Sequence, residues 1–246
     1  MKNLLMELLL LALIVMIAFM IKRRLRGRPE QAAELPFKAI AVLLLLMEAV
    51  KQLYYLCVGY DLYYIPLQIC SLFLICYPLA AFAKGRLKNC ALCMSLCLGC
   101  AASFAQIFLS QILTRDYLFR LFTAEATLFH YHTVLYHHVV VLHFVLMVIL
   151  RPYTPDKRDI SPTVTAYAVF MLLSCAGANL LQANYSGFLN YGAPAFDDFK
   201  KYGQAVFNLV GFSLNAAEYL LGVWVCFSVY ALGRRRRKKK CVVEQE

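Results

Sequence analysis

The sequence predicts an all-α membrane protein, a polytopic bundle of seven transmembrane helices. Hydrophobic residues make up 62% of its 246 residues, and the mean hydropathy is +0.63. Seven apolar segments each approach the length of about 20 residues that a helix needs to cross roughly 30 Å of hydrocarbon. Soluble folds rarely contain so many. The predicted helices are about 3–21, 37–58, 63–83, 89–113, 128–150, 162–183 and 204–232.

Basic residues in the gaps between these segments predict the orientation of the bundle. Four gaps, at 22–38, 84–88, 151–158 and 234–240, carry six, three, three and seven of the 25 Lys and Arg residues. With seven spans, all four gaps fall on one side of the membrane, and the positive-inside rule makes that side cytoplasmic. We therefore expect a multi-pass plasma-membrane protein with its N-terminus outside and its C-terminus in the cytoplasm.

The first helix is predicted to be retained rather than cleaved as a signal peptide. Only Lys2 precedes its apolar run, whereas five basic residues follow within 22–28, and a signal peptide has the reverse charge order. The transmembrane domain is then expected over 1–233 and a polybasic cytoplasmic tail over 234–246. Basic residues beside helix ends favour contact with membrane lipids and indicate no nucleic-acid partner, and nothing in the sequence indicates the oligomeric state.

Proline and glycine mark the ends of the other helices. The second helix follows Pro36, the third follows a short external turn that ends at Pro66, and the fourth follows a tight turn at Gly85. Pro152 ends the fifth helix because proline cannot extend it. Two external segments remain, a short interfacial helix expected within 114–127 and a structured loop expected at 184–194.

The cysteines predict neither disulfides nor a metal site. Cys90, Cys93, Cys97 and Cys100 have a spacing that resembles a cluster motif. On one helix, however, the outer two sulfurs would lie about 15 Å apart, whereas zinc–sulfur distances are near 2.3 Å. These cysteines are instead expected to form a packing face of the fourth helix, and no cofactor is predicted.

All five histidines lie in the fifth helix. Ionisable residues in a membrane helix usually face an interior cavity. His130, His137 and His138 share one sector of the helix, whereas His132 and His143 share the roughly opposite one. We favour the first sector as the one that faces inward.

Polar side chains in the outer halves of five helices predict a polar pocket that opens outward. Lipid penalises such groups unless they face the interior, although scattered hydrogen bonds between helices would also satisfy them. Glu48 and Lys51 can pair with each other or with Glu218. The uncharged polar set comprises Gln68, Cys70, Ser71, Gln106, Gln111, Asn179, Gln182, Asn184, Gln204, Asn208 and Asn215.

Several short motifs resemble those of a known family, the bacterial YwaF-like integral membrane proteins, which are similar to the eukaryotic transmembrane protein 164 family. Gln68 stands here where that family typically has His, and Ala183 where it has Thr. The motifs are Ile-Pro-Leu-Gln-Ile-Cys-Ser-Leu at 65–72, Phe-His-Tyr-His at 129–132, Tyr-His-His at 136–138, Arg-Pro at 151–152 and Ala-Asn-Tyr at 183–185.

The resemblance implies a phospholipid acyltransferase that uses a cysteine within the membrane. Cys70 would accept the acyl group and His137 would act as its base, a pairing that suits thiolate chemistry. The expected ligand is a lipid or acyl substrate, bound by Gln68, His130, His138, Gln182 and Asn184. A transporter or small-solute binding protein that uses the same pocket without chemistry is the main alternative, and a seven-helix sensor is a third.

Overall fold

The computed structural model describes residues 2–108, 118, 120–190 and 198–243, and these residues form an all-helical bundle without strands. Four short 3₁₀ turns lie at Leu62–Tyr64, Ile69–Leu72, Lys157–Asp159 and Asp198–Tyr202. The α-helices of the described residues are α1 (Lys2–Leu25), α2 (Glu30–Val58), α3 (Phe73–Phe82), α4 (Gly85–Phe108), α5 (Leu128–Leu150), α6 (Ile160–Leu181) and α7 (Gln204–Val243).

Five of these helices, α1, α4, α5, α6 and α7, are long and apolar enough to cross a membrane. Helix α2 has 29 residues but carries charged residues that include Glu48 and Lys51 within its apolar run. Helix α7 continues beyond the predicted end at 232 to Val243. Residues 114–117 and 119 of the predicted interfacial helix at 114–127, and residues 191–194 of the loop at 184–194, lie outside the described residues; in the described part of 114–127, only Leu118 and Arg120 are helical.

The third helix differs most from its prediction, because only ten residues of the expected segment 63–83 are α-helical. Pro66 has no backbone N–H and disfavours helical geometry at the residue before it. Ile65 accordingly has ψ 133°, and Gln68 is also extended, with ψ 149°. The chain therefore passes through Leu62–Leu72 as two 3₁₀ turns joined by extended residues, called here the non-helical segment because none of it is α-helical, and then continues into α3.

Helix α4 lies at the centre of the bundle, where it packs against α3, α5, α6 and α7. Helix α5 is in turn covered by α1, α2 and α4. Protein therefore surrounds α5 on several sides, and polar groups on different faces of this helix can all avoid lipid.

The basic gaps of the sequence meet at one end of the bundle, called here the basic end. Lys88 at the start of α4 forms an ion pair with Glu34 of α2 at 2.7 Å. The end of α5 lies there as well, because Arg151 lines one groove with Gly233 of α7 and Pro152 lines another hollow with Arg86. The basic gaps at 22–38, 84–88 and 151–158 therefore lie at the same end of the bundle.

Candidate functional site

A cavity of about 250 Å³ lies between α2, α4, α5, α7 and the non-helical segment Leu62–Leu72. Its apolar walls include Ile65, Ile69, Leu98 and Phe129. Polar and ionisable side chains enter it from four parts of the chain. They are Glu48 and Lys51 of α2, Gln68, Cys70 and Ser71 of the non-helical segment, His132, Thr133 and His137 of α5, and Glu218 of α7.

Cys70 lies in the first turn of the helical stretch that leads into α3. Its carbonyl oxygen accepts hydrogen bonds from the backbone N–H of Phe73 and from the hydroxyl of Tyr136 at 3.0 Å. The extended residue Gln68 precedes this turn, so the helical stretch begins at the cavity wall. Cys70 therefore lies in the first turn of this stretch, where it lines the cavity.

His137, on α5, lines the same cavity. Its Nδ1 is 2.7 Å from the carbonyl oxygen of Thr133. A carbonyl can only accept, so Nδ1 carries the hydrogen of this bond. In the neutral ring Nε2 is then left with its lone pair, which is the form that a general base requires.

A charged network forms one side of the cavity. Glu48 pairs with Lys51 at 2.8 Å and lies 3.4 Å from Nε2 of His132. The Gln52 amide donates to Glu48 at 2.6 Å and to the carbonyl oxygen of Tyr64 at 2.6 Å. The network neutralises the buried carboxylate of Glu48 with Lys51. Through Gln52 and Tyr64 it also ties α2 to the non-helical segment that carries Cys70.

Comparison with known proteins identifies the family. The model of the TMEM164 family matches residues 2–239, nearly the whole chain. The chain belongs to the TMEM164 family. No curated protein and no solved structure matches it. This member of the TMEM164 family is therefore an integral membrane protein, and the chemistry of its cavity has to be argued from its own residues.

Only part of the predicted substrate-binding set lines the cavity of this TMEM164 family member. Gln68 lines the cavity, but its amide also holds the loop after α6. Its Nε2 donates to the carbonyl of Asn184 at 2.9 Å, and its Oε1 accepts from the backbone N–H of Ser186 at 2.8 Å. Asn184 folds that loop by bonding Leu189 and Asn190. Gln182 is exposed, ends α6 in a left-handed conformation with φ 53° and donates to the carbonyl of Asn179.

The histidines of the favoured sector do not all line this cavity. His132 shares the cavity with His137, whereas His130 and His138 lie elsewhere. His130 forms a capping box with Thr127 at the start of α5. His138 bonds the carbonyl of Val134 through Nδ1 and lies 3.4 Å from Glu7 through Nε2. Both are buried, and they face other parts of the bundle because α5 is covered on several sides.

Sequence reasoning missed a second buried polar cluster, formed by Glu7, Gln106 and His138. Glu7 is 2% exposed and accepts a hydrogen bond of 2.6 Å from Gln106 of α4. The one signal for it was a single carboxylate within the apolar run of the first helix. His143 was also assigned no contact, and it stacks on Tyr77 with ring centroids 3.6 Å apart.

The cysteines of α4 lie at its packing contact with α7. Cys93, Cys97 and Cys100 are buried, and Gly222 of α7 approaches the carbonyl oxygen of Cys97 so closely that a Cβ there would lie 2.3 Å away. Cys90 faces Asp159 instead, at 3.9 Å. In the described part of the chain, no three His, Cys, Asp or Glu side chains are grouped to hold a metal ion.

Proposed function

We propose that this protein is a Cys/His-dependent lipid acyltransferase, with Cys70 as the acyl acceptor and His137 as the base. The observation that carries the proposal is that both side chains line one cavity, although they are 67 positions apart in the sequence. A nucleophile beside an oriented base is the usual arrangement for covalent acyl transfer. The resemblance noted from the sequence implies the same two roles.

The first half-reaction forms a thioester on Cys70. His137 Nε2 takes the thiol proton, and the thiolate attacks the ester carbonyl carbon of an acyl lipid. The ester C–O bond then breaks, and the proton passes from His137 to the departing lipid alkoxide. In the second half-reaction His137 takes a proton from the hydroxyl of an acceptor lipid, whose oxygen attacks the thioester, and the thiol is regenerated.

Gln68 is the side chain proposed to stabilise the negative oxygen of the tetrahedral intermediate. One of its two amide hydrogens is used by Asn184, which leaves the second for an oxyanion. Asn184, whose carbonyl accepts the bond from Gln68, is not assigned this role. Its amide is used within the loop, and it does not line the cavity.

The setting of the cavity also suits a lipid. Its walls are largely apolar, and Tyr63 and Tyr64 stand beside Phe129 at the end away from the basic gaps. An acyl ester could therefore lie against apolar side chains while its carbonyl meets Cys70. We place this end on the outside of the plasma membrane and the basic end in the cytoplasm, in agreement with the positive-inside rule. Within the family we group the chain with the YwaF-like bacterial proteins.

The orientation can be tested separately from the chemistry. We would replace Cys57 and Cys241 with Ser and introduce either Lys239→Cys or Asp197→Cys. In intact cells, an impermeant maleimide should label position 197 and leave position 239 unlabelled until the membrane is opened. Labelling of position 239 alone in intact cells would reverse the orientation.

The non-helical segment Leu62–Leu72 favours an alternative function, a transporter or small-solute binding protein without chemistry. Non-helical backbone at membrane depth is tolerated where it lines a cavity, and broken helices form the substrate sites of many transporters. The charged network of Glu48 and Lys51 would then bind the solute. This alternative requires no covalent intermediate.

Trapping the intermediate distinguishes the two functions. Purified protein in nanodiscs would be incubated with phosphatidylcholine that carries an alkyne-tagged acyl chain, and the modified residue would be identified by peptide mass spectrometry. We expect a tagged thioester on Cys70 that neutral hydroxylamine releases. It should be absent from Cys70→Ser and preserved in Cys57→Ser, which removes an exposed thiol. The same probe should be tried with phosphatidylethanolamine and phosphatidylglycerol, and the absence of thioester with all three contradicts the proposal.

A further inference from the structure

A second hollow, on the opposite half of the bundle from Cys70, is an apolar groove at the basic end. It has a volume of about 410 Å³ and lies between α5 and α7, with α4 at its back. It shares no lining residue with the cavity that contains Cys70. Its apolar lining includes Leu96, Phe144, Met147, Val148, Val225 and Val229.

Arg151 stands at the mouth of this groove. It ends α5 in a left-handed conformation, with φ 53°, and its backbone N–H donates to the carbonyl of Met147 at 3.1 Å. Its side chain is exposed, and it forms no ion pair with any other residue that the structure describes. The groove thus ends at a cation without a protein counter-charge among those residues.

The charges next to the groove do not cancel this cation. An adjoining polar hollow shares Tyr153 and Thr154 with the groove, and its ionisable lining consists of Arg86, Arg158, Asp156, Asp159 and Tyr153. Two carboxylates there balance two guanidinium groups. Asp159 is also engaged by the Tyr153 hydroxyl at 2.7 Å, and Asp156 by the backbone N–H of Arg158 at 3.0 Å.

The apolar lining of the groove and the Arg151 cation follow one another along the axis of α5, in the same order as the acyl chain and the phosphate of a phospholipid. Phe144 lies seven residues before Arg151 on α5, which is about 10 Å along the axis. An acyl chain in the groove would therefore run beside α5, and its phosphate would reach the level of Arg151. Basic residues at this depth attract anionic lipids, whereas a zwitterionic lipid brings a cation of its own.

We propose that this groove binds one acyl chain of an anionic phospholipid, whose headgroup is held by Arg151. The bound lipid would fill the space between α5 and α7 at the basic end. The inference does not depend on the proposed acyl transfer, since the two sites share no residue and the groove needs no chemistry.

Fluorescence quenching by brominated lipids tests the site directly. The chain has one tryptophan, Trp224, and Trp224→Phe removes its background fluorescence. Val229→Trp then places a fluorescent reporter at the groove edge, where Val229 is 64% exposed. Dibrominated phosphatidylglycerol should quench this reporter at a concentration about fivefold lower than dibrominated phosphatidylcholine, the ratio expected from one basic residue near the surface. Equal quenching by the two lipids would overturn the proposal.

Matched variants separate the site from the general charge of the basic end. Arg151→Gln should abolish the preference, and Arg151→Lys should keep it. Lys22→Gln should also keep it, because Lys22 is exposed at the same end but lines a different hollow. A reporter introduced as Leu209→Trp, about 30 Å away along α7, should show no preference.

If Arg151→Gln does not fold, high salt provides a second test of the same preference. About 1 M salt should abolish the preference of the Val229→Trp reporter for the anionic lipid through screening. A preference that survives both treatments, or one that Lys22→Gln removes as fully as Arg151→Gln, would overturn the proposal. A preference of similar size at Leu209→Trp would do the same.

Discussion

The hydroxyl of Tyr136 donates to the carbonyl oxygen of Cys70 at 3.0 Å. This bond joins α5, one residue before His137, to the turn that carries the proposed nucleophile. It is therefore a direct link between the two halves of the candidate catalytic pair, and Tyr136 is a positioning residue in the proposed mechanism.

Removal of this link should slow acylation without unfolding the protein. Tyr136→Phe deletes one hydrogen bond, worth about 1 kcal/mol, and the carbonyl of Cys70 keeps its bond from Phe73. We expect the rate of thioester formation at Cys70 to fall by about fivefold, with little change in melting temperature. Tyr131→Phe is the matched control, because the Tyr131 hydroxyl bonds the carbonyl of Leu121 and does not line the cavity.

Loss of one partner of the Glu48–Lys51 pair should strongly destabilise the folded protein. The two side chains are only 12% and 10% exposed. Glu48→Gln leaves Lys51 as an uncompensated buried charge, which typically costs about 3 kcal/mol or more. A thermal melt in detergent should show a clear loss of stability, and the addition of Lys51→Met should restore most of it. A double variant no more stable than Glu48→Gln would contradict this account.

The contact between α4 and α7 should tolerate no side chain at Gly222. A Cβ at this position would lie 2.3 Å from the carbonyl oxygen of Cys97, and backbone must move to accept it. Gly222→Ala should therefore destabilise the protein by about 1–3 kcal/mol. Gly233→Ala, on the same helix with nothing within 4 Å of the added carbon, should melt like the unsubstituted protein.

The ion pairs of Glu34 at the basic end predict a modest pH dependence. Hydrogen bonds from Lys88 and then Lys38 lower the pKa of Glu34 to about 2 from its usual 4.5. A carboxyl whose pKa is lowered on folding stabilises the protein above its unfolded pKa, and this stabilisation is lost as the pH falls toward the folded pKa. Because Glu34 is 42% exposed, water screens the pairs and the effect should stay below about 1 kcal/mol.

The test compares Glu34→Gln with the unsubstituted protein in thermal melts between pH 7 and pH 3. We expect a small deficit in the melting temperature of the variant at pH 7 that shrinks below about pH 4.5. A deficit that grows as the pH falls would show that ionised Glu34 does not stabilise the fold.

The sequence predicted the long helices well because lipid exposure demands continuous apolar runs. Helices α1, α4, α5 and α6 lie within a few residues of the expected segments over the described part of the chain, and α7 begins where expected but continues beyond 232 to Val243. The third helix was predicted as continuous because hydropathy reports burial and not backbone geometry. Pro66 was read as the start of a helix, whereas it lies within the non-helical segment that forms the cavity.

The side-chain partners could not be predicted to the same extent. Cys70 and His137 were paired through motifs, whereas the part of the bundle that His130, His132 and His138 each face depends on how α1, α2 and α4 pack around α5. Periodicity within α5 does not report that packing. Glu7 and Gln106 are 99 positions apart, and no periodicity within one helix reports a contact of that kind.

The proposed activation of Cys70 by His137 can be measured as the rate at which the Cys70 thiol is alkylated. Purified protein in nanodiscs would be treated with a long-chain iodoacetamide, and alkylation of each cysteine would be followed by peptide mass spectrometry. We predict that Cys70 reacts before the other cysteines and that His137→Ala slows its alkylation at least tenfold. His143→Ala, which alters a histidine stacked on Tyr77 outside the cavity, should leave the rate unchanged. Equal rates for Cys70 in the unsubstituted protein and in His137→Ala would contradict the proposed activation.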